Sequence, residues 1–150
     1  MGKATRHGLV GLAMVLGLLA PISGCGEQKK ITECNALVGV INTGVDKIQN
    51  VTRSSPDGGA AVAELRALAT EMDTVAAEAK KVELTLPALK KFSADYQALA
   101  TELAKAARDL ATAVDNVDME KMAKAQGEMD SVVKREDPLI QKLNEYCRAP

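Results

Sequence analysis

The sequence has few of the side chains that usually carry catalysis or bind metals and haem. It contains one histidine, His7, no tryptophan, two tyrosines and one phenylalanine. Ser-His-Asp and Cys-His catalysis require histidine, di-iron helical bundles use Glu-x-x-His pairs, and c-type haem needs Cys-x-x-Cys-His. The sequence contains no Cys-x-x-Cys-His or Glu-x-x-His motif. We therefore expect no enzymatic activity, no metal ion and no bound cofactor.

An excess of charge of one sign is also missing. Nineteen lysines and arginines face twenty acidic residues, a formal net charge of -1 at pH 7. Nucleic-acid-binding domains typically carry a basic surplus or patch, so we expect no nucleic-acid partner. Aromatic residues make up only 2% of the chain, whereas alanine occurs 17 times between residues 60 and 113. This composition favours helices over a β-sandwich or barrel.

The apolar run near the N-terminus is too short for a permanent membrane span. It covers Leu9–Ala20, twelve residues, where a transmembrane helix needs about 20. Lys3 and Arg6 precede the run, and Pro21 follows it. A basic start followed by a short apolar segment is typical of a secretory signal peptide.

Four residues directly after this segment, Ile22-Ser23-Gly24-Cys25, resemble the lipobox of bacterial lipoproteins. The resemblance implies cleavage before Cys25 and a thioether-linked diacylglycerol plus an N-acyl chain, such as palmitate, on that cysteine. Several acyl chains hold a protein durably, whereas one binds a membrane only marginally. Gly26 in place of aspartate resembles sorting to the outer rather than the inner membrane of the cell envelope. An ordinary secreted protein with a chance cysteine at this place is the alternative.

Processing at Cys25 divides the chain into three parts. Residues 1–24 are the predicted signal peptide, residues 25–30 the lipidated N-terminus with a short tether, and residues 31–150 a helical bundle domain. Cleavage removes His7 and leaves 17 basic and 20 acidic residues. Export allows disulfides, so Cys34 and Cys147 are predicted to pair. Two unrelated buried thiols are the alternative.

Apolar residues at alternating spacings of three and four predict four amphipathic helices. The first runs from about Glu27 to Arg53, the second ends near Glu83, the third begins near Pro87 with Thr85 as its N-cap, and the fourth covers about Met119 to Cys147. Pro138 leaves the fourth helix either kinked or split. The predicted core stripes are Ile31, Cys34, Val38, Ile41, Val45 and Ile48; Leu65, Leu68, Met72, Val75, Ala79 and Val82; Leu89, Phe92, Tyr96, Leu99, Leu103, Ala106, Leu110, Ala113 and Val117; and Met122, Met129, Val133, Ile140, Leu143 and Cys147.

Four helices joined by short loops predict an all-α fold, an antiparallel up-down-up-down four-helix bundle. In that topology the start of the first helix lies beside the end of the fourth. Cys34 and Cys147 occupy those two places, so the predicted fold brings the thiols together. Basic residues also lie at this end of the predicted bundle: Lys29, Lys30, Lys142 and Arg148. They would lie near anionic lipid headgroups, or they are ordinary solvated charges.

Three residues suggest a ligand pocket between the helices. Gly39 and Gly44 lie inside the first helix, where each costs about 1 kcal/mol relative to alanine, and Glu136 falls on the apolar stripe of the fourth helix. The alternatives are tight helix packing and a partly exposed helix end. We therefore expect a membrane-anchored, non-enzymatic interaction or structural module that meets an envelope protein. A small-ligand carrier or sensor is the second hypothesis.

Overall fold

The computed structural model describes residues 24–53 and 61–149, with side chains for residues 26–47 and 62–149. Four helices make up this part of the chain: α1 (Gly24–Arg53), α2 (Ala61–Lys81), α3 (Pro87–Asp115) and α4 (Met119–Arg148). No β-strand occurs in these two ranges. The prediction of an all-α, four-helix bundle is confirmed. The predicted turn at Ser54–Gly59 lies outside the described residues.

Helix α3 is the central element of the bundle. It packs along α2 on one side and along α4 on the other, while α1 packs mainly on α2. Contacts between α1 and α4 are few among the described residues. The connections 82–86 and 116–118 are short, which makes successive helices antiparallel neighbours. The bundle is therefore tightly closed around α3 and loosely closed between its first and last helices.

The core consists of two clusters with different contributors. The first contains residues of all four helices: Cys34, Leu37, Ile41, Val75, Ala79, Leu89, Tyr96 and Leu143. The second contains only residues of α2, α3 and α4: Ala69, Met72, Leu99, Ala100, Leu103, Ala104, Ala107 and Val132. Small alanine side chains let α3 approach both neighbours closely, which explains the high alanine content of this region. Among the described side chains, those of α1 contribute to the first core cluster and not to the second.

Some residues of the predicted stripes lie outside the core. Ile31 is 50% exposed, although Cys34, three residues later on the same predicted stripe, is buried. In α4, Val133 is 49% exposed and the neighbouring Val132 is buried. The buried face of α4 passes through Ala125, Val132 and Leu143, about one residue away from the predicted stripe in its first half.

The helix ends follow mostly from local sequence. Asp118 caps α4, its Oδ1 accepting a hydrogen bond from the backbone N–H of Lys121 at 3.1 Å. Val117 leaves the predicted stripe because the chain turns there, with φ at 54° and a 79% exposed side chain. Pro138 lies inside one uninterrupted helix, so α4 is not split. The pyrrolidine ring removes one backbone hydrogen bond there and leaves the helix assignment intact.

Candidate functional site

The disulfide end of the molecule is the part that the cysteine pattern singles out. We use this name for residues 26–34, 80–91 and 142–149, which form the start of α1, the α2–α3 turn with its flanking helix turns, and the end of α4. Cys34 and Cys147 form a disulfide with Cα atoms 5.8 Å apart, which confirms the predicted pairing. The bond closes a loop of 113 residues, for which chain entropy predicts a stabilisation of at most about 5 kcal/mol.

Glu33 holds the same end together from the other side of α1. Glu33 is 6% exposed, and its carboxylate accepts hydrogen bonds from the backbone N–H groups of Thr85 at 2.9 Å and Leu86 at 3.0 Å. The Thr85 hydroxyl donates a third, and this bond is the main reason that the pKa of Glu33 lies below its usual range. The predicted N-cap role of Thr85 is wrong: Leu86 is the N-cap, and its side chain makes no capping bond.

Lys30 fixes the C-terminal tail against α1. Its Nζ donates to the carbonyl oxygen of Ala149 at 2.6 Å and lies 4.7 Å from the ring centroid of Tyr146. Tyr146 in turn packs against Phe92, with ring centroids 5.9 Å apart. Lys30 therefore makes contacts within the protein, whereas the side chains of Lys29, Lys142 and Arg148 are exposed.

A cleft of about 640 Å³ separates α1 from α4, where these two helices make few contacts. Its lining residues are Val45, Glu136, Asp137, Ile140, Gln141, Asn144, Glu145 and Arg148. Glu136 is half-buried, and burial together with the Asp137 carboxylate raises the pKa of Glu136. Tyr96 is 1% exposed, and its hydroxyl has no hydrogen-bond partner among the described residues. Burial, with a contribution from Glu136, raises the pKa of Tyr96 to about 12.

The three residues proposed for a ligand pocket do not share one site. Gly44 is buried, and a Cβ added to it would lie 2.6 Å from Cγ2 of Val75 in α2. Gly39 is exposed, and an added Cβ would meet nothing within 4 Å. Neither glycine lines the cleft that Glu136 lines. Close packing of α1 on α2 therefore explains Gly44, and Glu136 alone lies where a ligand could reach it.

The predicted lipid attachment site lies at the very start of α1. The backbone of Cys25 is in the first turn of this helix, but its side chain lies outside the described residues, as do residues 1–23 with His7, Ile22 and Ser23. Residues 25–30, the predicted tether, are helical. At about 1.5 Å per residue, Cys25 lies about 12 Å along the helix axis from Glu33.

The chain matches no known protein-family model, no curated protein and no solved structure. Across residues 24–53 and 61–149, no helix is both long and apolar enough to cross a membrane. The same ranges contain no group of three or more histidine, cysteine or acidic side chains that could hold a metal ion.

Proposed function

We propose that this chain is a lipid-anchored bacterial lipoprotein of the cell envelope, and that its bundle is a non-enzymatic interaction or structural module. The observation that carries the proposal is the order of features at the N-terminus. A basic start, the apolar run Leu9–Ala20 and the lipobox-like Ile22-Ser23-Gly24-Cys25 follow in this order, with only Pro21 between the last two. The class resemblance favours the outer membrane as its destination.

The proposed mechanism is tethering. Acyl chains on Cys25 would restrict the bundle to the membrane surface, so that a partner there meets it at a high effective concentration. Because α1 begins at Gly24, the anchor would continue directly into a helix rather than into a flexible linker. The bundle would stand close to the headgroups, with the disulfide end toward the membrane and the α3–α4 turn away from it.

The α3–α4 turn is the proposed contact for an envelope protein. It presents two large apolar side chains, Val117 and Met119, which are 79% and 71% exposed. Val117 also has a φ of 54°, an outlier for a β-branched residue. A double variant, Val117→Ser with Met119→Ser, should lose crosslinks to the envelope partner while keeping its helical content. Unchanged crosslinks would place the contact elsewhere.

The anchor is tested by Cys25→Ala in the full chain expressed in bacteria. We expect the parent to incorporate labelled palmitate and to stay with membranes after a high-salt wash, which removes electrostatic binding, and the variant to do neither. Cys34→Ala with Cys147→Ala is the matched control, because it removes cysteines without touching the lipobox. Membrane fractionation of Cys25→Ala equal to that of the parent would refute the anchor.

The second candidate function, a small-ligand carrier or sensor, is favoured by the cleft between α1 and α4. The half-buried Glu136 is a polar group that a ligand in this cleft could contact. Mass spectrometry of the gently purified protein should then find a bound small molecule that is lost in Glu136→Gln. Protein that carries no such molecule, or carries it equally in the variant, would leave the interaction module as the function.

A further inference from the structure

The disulfide end is strongly basic, although the chain as a whole is not. Residues 26–34, 80–91 and 142–149 carry eight basic and four acidic side chains, a net charge of +4. The rest of the predicted mature chain, within residues 25–150, carries nine basic and sixteen acidic side chains, a net charge of -7. The net charge of the chain is therefore near zero although one end of the molecule is positive and the rest of it, the body, is negative.

The basic side chains at this end come from all four helices. Adjacent lysine pairs occur near the start of α1, in the last turn of α2 and near the start of α3, and two separate basic residues lie near the end of α4. Seven of these side chains are exposed: Lys29, Lys80, Lys81, Lys90, Lys91, Lys142 and Arg148. Among them only Lys91 has an acidic partner within 4 Å among the described residues. Their charges are consequently available to an external anion.

Acidic residues at this end balance only half of its positive charges, and one of the four is buried. The carboxylate of Glu33 is buried against the α2–α3 turn, where it accepts three hydrogen bonds. In the body of the bundle, by contrast, exposed cations sit beside acidic side chains, as in the pairs Arg108–Asp73 and Arg135–Glu102. The pattern of pairing thus leaves the disulfide end positive and the body negative.

From this division of charge we propose that the disulfide end is a docking surface for anionic lipid headgroups, which holds the bundle upright on the membrane. The inference rests on the proposed lipid anchor for its place in the cell, because Cys25 begins the same end. Along α1, Cys25 lies about 12 Å from Glu33, close to the Debye length of about 10 Å at 0.1 M salt. The charges of the disulfide end therefore lie close enough to the membrane surface to be attracted by anionic headgroups.

The negative body does not cancel this attraction. Helix α4 has 30 residues and is roughly 45 Å long, so most acidic side chains lie several Debye lengths above the headgroups. Salt screens their repulsion more strongly than it screens the nearby lysines. A Lys or Arg near an anionic surface contributes about 1 kcal/mol, which corresponds to roughly a fivefold change in binding.

The test measures binding of unacylated residues 26–150 to lipid vesicles by flotation at about 0.1 M salt, the condition discussed above. This segment contains both core clusters, the disulfide and every contact described above, and circular dichroism checks its helical content. Phosphatidylglycerol-rich vesicles should bind the protein, and pure phosphatidylcholine vesicles should not. Raising the salt to about 0.5 M should release it, because screening weakens the attraction.

Two variants of equal charge change separate the end from the body. Lys80→Gln with Lys81→Gln should weaken binding about 25-fold, at about fivefold per lysine. Lys124→Gln with Lys134→Gln, two exposed lysines of α4 away from this end, should change it less than about twofold. A third variant, Lys29→Gln with Lys142→Gln, repeats the test on α1 and α4 and guards against a folding defect in α2.

Any of three results would overturn the docking surface. The protein does not bind anionic vesicles, it binds neutral vesicles equally well, or the end and body variants lose the same amount of binding. The result is independent of the anchor, because the protein used carries no acyl group. If Cys25→Ala stays with salt-washed membranes as the parent does while vesicle docking succeeds, the lipid anchor fails and the surface stands. If the anchor is confirmed and the protein does not bind anionic vesicles, the docking surface fails and the lipid anchor stands.

Discussion

The two glycines of α1 predict opposite effects of the same substitution. At Gly44, an added methyl group would lie 2.6 Å from Cγ2 and 2.8 Å from Cγ1 of Val75. Val75 is fully buried and has a stiff, β-branched side chain, so it cannot move aside cheaply. At Gly39, an added methyl group meets nothing within 4 Å. Gly39→Ala is therefore a matched control in the same helix.

The magnitudes follow from two opposing contributions. Alanine is favoured over glycine in a helix by about 1 kcal/mol, so Gly39→Ala should raise the free energy of unfolding by about that amount. Overpacking a core costs about 1–3 kcal/mol. The free energy of unfolding of the Gly44→Ala variant should thus be about 1–3 kcal/mol lower than that of the Gly39→Ala variant.

Urea denaturation at constant pH measures the difference, provided that the slope of the transition stays unchanged. A third comparison isolates the cause: in a Val75→Ala background the clash is gone, and Gly44→Ala should become stabilising. The reasoning is refuted if Gly44→Ala stabilises the parent as much as Gly39→Ala does. Such a result would mean that α1 and α2 are not in the close contact described, and that space for a ligand exists beside Gly44.

Three further predictions concern stability. Because the pKa of Glu33 is lowered in the folded protein, its contribution to the free energy of unfolding should be fully present above the ordinary carboxyl value of 4.5 and lost as pH falls through the folded pKa. Urea midpoints measured across acidic pH should fall accordingly, and Glu33→Gln should make them less dependent on pH. Equal pH dependence in the parent and the variant would contradict this prediction. Reduction, or Cys34→Ser with Cys147→Ser, should lower the free energy of unfolding by at most about 5 kcal/mol; equal midpoints with and without reductant would contradict the entropy argument. Val117→Gly should raise the free energy of unfolding by about 1 kcal/mol, since a left-handed conformation strains valine; a loss of stability on thermal or urea unfolding would show that the strain is absent.

Much of the fold can be predicted from the sequence because two independent patterns agree. The heptad-like spacing identifies each helix by itself, and the α3 stripe from Leu89 to Ala113 is largely buried as predicted. The cysteines then fix which helix ends meet, since Cys34 and Cys147 can pair only if the first and last helices are neighbours at one end. Local spacing and a long-range bond therefore constrain the same topology.

The exact buried face of α4 is harder to predict, because its apolar residues are sparse. Val132 and Val133 are adjacent and chemically alike, and only the position of α3 decides that Val132 is buried. Ile31 illustrates a second limit: periodicity shows which face of the helix a residue shares, but it does not show whether a neighbouring element covers that residue.

The candidate sites depend on contacts that no local pattern encodes. Glu33 lies next to a core cysteine, and the sequence offers no sign that Thr85 and Leu86, more than fifty residues away, supply its hydrogen bonds. Gly39 and Gly44 look equivalent in the sequence. Only Val75 of another helix separates a packing requirement at Gly44 from an exposed position at Gly39.

The disulfide also sets how the molecule would respond to mechanical load. A pull between the start of α1 and the α3–α4 turn reaches Cys34 and there divides between two lengths of chain in parallel. The shorter length, from Cys147 back to Asp118, is about 30 residues and limits the extension to roughly 100 Å at 3.3–3.6 Å per residue. Without the bond, the path from Cys34 to Asp118 would be almost three times as long. The cystine thus acts as a strain limiter at the point where force from an anchored N-terminus would enter the bundle.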